Sequence, residues 1–289
     1  MNTSDSQQHL VSNQIIQGQK AKKYIILILV ISWVFGFVTT SIFDFSNPIA
    51  NGVITFIFGF IPAILAVILN KKEGGTWKDL KFSKPSFKAS FWAFLIPILF
   101  FTTVISTQIF FDIRLVPDWS KLGTPLIVIL LLIVGYPVTA ILMLGEEIGW
   151  RGYLQEKVID GFGAFKGILL LGLVWGLWHI PIALQGYNFP NHPYIEAFMT
   201  YPLVGIALSL IIAYLGFNRY SIFIGVLLHA SNNHFGGILL TVTETQNEFV
   251  HAMIFNAFYV VIILIFGYLW WKKRFTTIPI NNMGLGLKR

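Results

Sequence analysis

The chain has 289 residues, of which 55% are hydrophobic and only 11% charged. A soluble domain carries roughly 25% charged residues, so this protein has too little polar surface to cover itself in water, and lipid must cover the remainder. The absence of cysteine excludes disulfides, thiolate metal sites and a cysteine nucleophile, and the net charge of +7 gathers at the ends of apolar runs, which argues against a nucleic-acid partner.

Residues 1–23 form a polar tail without the short apolar core and small-residue end of a secretory signal. Eight apolar runs follow, near 24–43, 49–69, 89–111, 124–145, 164–185, 197–217, 221–242 and 249–271. Each is close to the roughly 20 residues a helix needs to cross the hydrocarbon core. The expected fold is an all-α membrane bundle of about eight transmembrane helices over residues 24–271, with a basic tail at 272–289. Pro62, Pro97, Pro137, Pro181 and Pro202 fall inside the runs, where a bundle tolerates a kink.

The loops orient the bundle. Lys20, Lys22 and Lys23 precede the first run, and six lysines from Lys71 to Lys88 separate the second and third. Arg151, Lys157 and Lys166 surround the turn after the fourth, and Arg219 lies in the turn before the seventh. Lys272, Lys273, Arg274, Lys288 and Arg289 follow the last. With alternating spans all of these share one side, leaving Arg114 and Lys121 on the other. The positive-inside rule makes the rich side the cytoplasm of a cell membrane and puts both termini there. Between Lys71 and Lys88, Trp77, Phe82 and Phe87 alternate with lysines. The segment suits either the anionic inner leaflet or a solvated loop.

Ionisable groups inside apolar runs are costly and mark candidate sites. The fourth run ends in Glu146, Glu147 and Arg151. Adjacent carboxylates point about 100° apart on a helix, whereas Glu147 and Arg151 have ion-pair spacing. The fifth run carries Trp175 and His179. Gly161-Phe162-Gly163 stops the fourth helix and turns the backbone. Glu146 and His179 each stand about 23 Å from that turn, at the same depth on neighbouring helices. The seventh run places His229 and Asn233 on one face, four residues apart. His234 and His251 read as packing residues.

A buried Glu beside a His can hold and deprotonate water, and a second His with an Asn can donate to an oxyanion. A zinc ion held by Glu146, His179 and His229 is the competing arrangement, although the compact His-Glu-x-x-His helix motif is absent.

Glu146-Glu147-x-x-x-Arg151, Trp175-x-x-x-His179 and His229-x-x-x-Asn233 together resemble the three motifs of the CPBP family. That family includes the type II CAAX prenyl endopeptidases and bacterial relatives tied to bacteriocin processing or immunity. The resemblance covers about 124–242 and implies a glutamate-dependent intramembrane endopeptidase. Glu146 and His179 would activate water, His229 and Asn233 would hold the oxyanion, and Glu147 and Arg151 would support them. Trp175 departs from the family's usual Phe and is expected to wall the site. The implied partner is a membrane-associated peptide, prenylated or a leader. A non-catalytic immunity or scaffold protein and a proton-coupled transporter are the alternatives.

Overall fold

A computed structural model describes residues 3–43, 47–217 and 221–277. Arg219, Lys288 and Arg289, which contribute to the charge bias of the loops, lie outside the described residues. Regular structure among the described residues is helical, apart from one isolated bridge between Arg114 and Thr245. The long helices are α1 (Thr3–Ile42), α2 (Pro48–Lys72), α3 (Phe87–Phe110), α4 (Pro125–Phe162), α5 (Ala164–Trp178), α6 (Pro193–Gly216), α7 (Ile222–Val242) and α8 (Glu248–Thr277).

Six of these, all but α5 and α7, contain stretches long and apolar enough to cross a membrane. The all-α polytopic bundle therefore holds, while the count of eight spans does not follow from length and apolarity. α5 has only 15 residues. The polar run Ser231-Asn232-Asn233-His234 lowers the hydropathy of α7. The fifth apolar run extends to Gln185, but α5 stops at Trp178, and Ile180–Ala183 forms a separate short turn. Pro181 cannot donate a backbone hydrogen bond, so the ladder breaks beside His179.

The polar N-terminal segment is helical and continuous with the first apolar run. It packs along residues 155–162 of α4. Glu73, just past α2, ties this end together through Lys20 at 3.1 Å, Lys157 at 3.6 Å and the Tyr153 hydroxyl at 2.5 Å. Burial alone would raise the Glu73 carboxyl, but these partners hold it below the usual carboxylate range. Between α2 and α3, Leu80 is buried, whereas Trp77 and Phe87 stay exposed among the lysines.

Large apolar side chains on the outside, such as Leu126, Ile133 and Leu264, present a surface suited to lipid. Inside, Tyr24, Phe58, Trp150, Trp175 and Trp178 centre the largest core cluster. Phe58 stacks on Trp178 with centroids 4.2 Å apart.

Glycines let the site-bearing helices approach. A Cβ at Gly172 would fall 2.5 Å from the Ile206 Cα, and one at Gly176 would fall 2.5 Å from the Tyr201 carbonyl. The α5–α6 seam is thus backbone against backbone, the small-residue packing that membrane helices favour. Gly172→Ala and Gly176→Ala should each cost about 1–3 kcal/mol by overpacking, read as a lower melting temperature in detergent. Gly52→Ala is the control, because its Cβ would meet nothing within 4 Å. If all three melt alike, the seam is looser than described.

Candidate active site

α4, α5 and α7 bring all seven residues singled out by the sequence motifs into one connected cluster. α4 approaches α2 closely at two glycines that bracket the acids. A Cβ at Gly145 would lie 2.8 Å from the Gly59 carbonyl, and one at Gly149 would lie 2.5 Å from Pro62. The helix continues unbroken past Glu147, as the hairpin geometry requires. Residues Ile148–Leu154 take a π-helical turn, a local widening frequent at functional sites.

Glu147 is fully buried and lies at the centre. Its Oε1 accepts from Arg151 Nη1 at 3.1 Å and meets His229 Nδ1 at 3.0 Å. Arg151, 1% exposed, also donates through Nη2 to Ser209 at 3.1 Å, and its guanidinium lies 4.1 Å over the Trp175 ring. Gly225 leaves room for the acid, since a Cβ there would collide with Glu147 Oε2.

His229 is fixed from both sides. A proton on Nδ1 satisfies the Glu147 contact, and Nε2 then accepts from Asn233 Nδ2 at 3.3 Å. The same amide nitrogen touches Met143 sulfur at 3.2 Å, a weak contact that a better acceptor can displace.

Glu146 is held differently. Its Oε2 accepts the Trp175 indole N–H at 2.9 Å. Its Oε1 takes no hydrogen bond among the described residues and lies 4.0 Å from where a Gly59 Cβ would stand. Trp175 does more than wall the site, because its N–H also orients the acid. His179 contacts the Trp175 carbonyl through Nδ1 at 2.8 Å and stacks on Tyr201 at 4.2 Å. No direct hydrogen bond links Glu146 to His179. Trp175 joins them, binding the first through its side chain and the second through its backbone.

A sequence profile described as type II CAAX prenyl endopeptidase Rce1-like matches residues 122–235, a span that contains all seven motif residues and covers less than half of the 289-residue sequence. The curated CAAX prenyl protease 2 of Methanococcus maripaludis is 28% identical over 100 residues, which cover 32% of this chain and 37% of that protein. Both matches support the CPBP/CAAX family. The match spans little more than a third of the relative's length. The apolar helices and the match to a membrane-protease profile point to a multi-pass membrane protein.

A cavity of about 270 Å³ adjoins the motif residues. Trp175, His179, His229 and Asn233 line one part of it, and Phe101, Val204, Leu208, Leu240 and Phe255 supply apolar walls. Two groups outside the motifs join this region. His251, which reads as packing in the sequence, also lines the cavity. Glu196, at the start of α6, is fully buried and accepts from the backbone nitrogens of Asn188 and Phe189, each at 2.9 Å, fastening the loop after α5. The sequence signal for it is a charge three residues after Pro193, at the edge of an apolar run.

The zinc set does not fit this arrangement. Among the described residues, no three His, Asp or Glu side chains converge as a metal group. Glu146 Oε2 and both His229 nitrogens already have protein partners.

Removing one member of a buried ion pair strands the other charge, at about 3–5 kcal/mol. Arg151→Ala should therefore lower the melting temperature strongly. Glu147→Gln combined with Arg151→Met should recover much of the loss. A double variant as unstable as the two singles summed shows that the pair is not coupled.

Proposed function

We propose that the protein is an endopeptidase that cuts a membrane-associated peptide, with Glu146 as general base. The observation that carries this reading is the split role of Glu146, with one oxygen held by Trp175 and the other unbonded beside Gly59. A carboxylate fixed in this way can take a proton from water without reorganising.

In the proposed reaction, Glu146 Oε1 takes a proton from water while the water oxygen attacks the peptide carbonyl. His179 presents Nε2 to the same water, because its Nδ1 is engaged by the Trp175 carbonyl. Asn233 turns an amide N–H from Met143 to the developing oxyanion. His229, with its Nδ1 proton on Glu147, holds Asn233 in place by accepting an amide N–H at Nε2. Glu146 then returns its proton to the leaving amine. The membrane is the cell membrane, with the lysine-rich end of the bundle and both termini in the cytoplasm.

Glu146→Gln should abolish cleavage by the purified protein while insertion and melting temperature stay unchanged. Turnover at the wild-type rate would sink the assignment. A phenotype that survives loss of both Glu146 and His179 would favour the immunity or scaffold reading. Because the donors do not converge on a metal, activity should persist after exhaustive chelation, with no stoichiometric metal by elemental analysis. Loss on chelation and recovery with zinc would overturn the metal-free scheme.

A further inference from the structure

The connector between α2 and α3 carries charge and aromatic surface that the motif cluster does not use. α2 ends at Lys72 and α3 begins at Phe87, and both helices are long and apolar enough to cross a membrane. Residues 73–86 therefore lie at a membrane boundary.

The connector is tied to the bundle by its backbone and one side chain. Leu80 is 1% exposed. Asn70 Nδ2 donates to the Thr76 carbonyl at 2.9 Å, and the Ile222 N–H donates to the Lys81 carbonyl at 3.1 Å. The Ser221 hydroxyl donates to the Ser83 carbonyl. With the backbone held in this way, large aromatic side chains still face outward. Trp77 is 64% exposed and Phe87 is 87% exposed. Phe82 is edge-on to Trp77 and to Phe223, with centroids 6.1 and 6.2 Å away. Water penalises such a surface, whereas the headgroup region of a bilayer favours it.

Lysines interleave with these rings. Lys78 follows Trp77, Lys84 stands two residues after Phe82, and Lys88 follows Phe87. Trp77, Lys78, Lys81, Phe82 and Ser83 line one open depression. The nearby acids are already engaged. Glu73 is held by Lys20, Lys157 and Tyr153. Asp79 accepts from the backbone and hydroxyl of Thr76, at 2.6 and 2.9 Å. Glu156 pairs with Lys81 at 2.7 Å. Among the described residues, Lys78, Lys84 and Lys88 have no carboxylate in ion-pair range. Their positive charge is complementary to an anion, and the rings beside them are suited to acyl chains.

We infer that this connector binds the headgroup of an anionic phospholipid. Lys78 and Lys84 contact its phosphate, while Trp77 and Phe82 sit at the top of its acyl chains. Lys81 contributes less, because Glu156 already takes its charge. A zwitterionic headgroup carries its own cation and gains less from the lysines. An acidic protein would match the charge but would leave Trp77 and Phe87 without an apolar partner.

The test uses the full-length protein in phosphatidylcholine nanodiscs. Dibrominated phosphatidylglycerol or dibrominated phosphatidylcholine replaces an increasing fraction of the lipid. Bromine quenches tryptophan at short range, and the Trp77 signal is the difference between the parent protein and Trp77→Phe. One lysine near an anionic surface is worth about fivefold in affinity. The phosphatidylglycerol fraction that half-quenches Trp77 should therefore be at least about fivefold lower than the phosphatidylcholine fraction. Lys78→Gln and Lys84→Gln should each raise it about fivefold, and the double variant should bring the two lipids together. Quenching by brominated phosphatidylcholine should be unchanged in every variant, which also reports that the connector is folded. Lys22→Gln with Lys23→Gln removes the same charge from α1 and should leave the preference intact. Equal half-quenching fractions in the parent protein overturn the headgroup site. A preference lost equally in the α1 variant reduces it to diffuse surface charge and overturns it too. Absence of quenching by either lipid makes the connector a solvated loop. No arm depends on cleavage, so failure here is distinct from failure of the protease reading.

Discussion

The arrangement of the site depends on one buried carboxylate. Glu147 binds Arg151 on its own helix and His229 on α7 through a single oxygen. Burying that charge is tolerable only while both partners stay in place. Arg151 then reaches Ser209 on α6 and covers Trp175 on α5. Four helices are thereby held in register by contacts that begin at Glu147. Glu146 borrows this order, since Trp175 orients it while lying under the Arg151 guanidinium. The adjacent acids divide the work, one holding the frame and the other left open toward Gly59.

Much of this was legible from spacing. The Gly161-Phe162-Gly163 stop set the hairpin, and counting residues from it put Glu146 and His179 at one depth. Four-residue spacing gave both the Glu147–Arg151 pair and the shared face of His229 and Asn233. What stayed hidden was contact between helices. Nothing local to Trp175 says that its indole N–H meets Glu146, or that Glu147 serves His229 as well as Arg151. The early end of α5 was signalled by Pro181, yet the apolar residues after it disguised the break. His251 reads as packing because a lone His near a helix start carries no directional information. Only the fold brings it beside Arg114, far away in sequence.

The seam and the loops constrain the bundle differently. Along α5 and α6, Gly172, Gly176 and Gly205 bring backbones together, leaving little freedom to slide. The loop between these helices is held by hydrogen bonds to Glu196 instead. Such bonds can be exchanged one at a time, whereas interlocked backbone cannot. The cavity therefore has one stiff wall and one edge fastened by replaceable contacts.

The widened turn after Glu147 has a consequence for how the sequence can vary. An i→i+5 turn accommodates one more residue than an ordinary α-turn. Each extra residue rotates everything beyond it by about 100°. The face presented by Tyr153 and Lys157 to Glu73 is thus set by the length of Ile148–Leu154 as well as by its side chains. Deleting a single residue there would leave Glu146 and Glu147 on their present faces and turn the far end of α4 away from the N-terminal helix. The half of α4 that carries the two acids and the half that anchors the N-terminal helix are phased separately, and the π-turn is the joint between them.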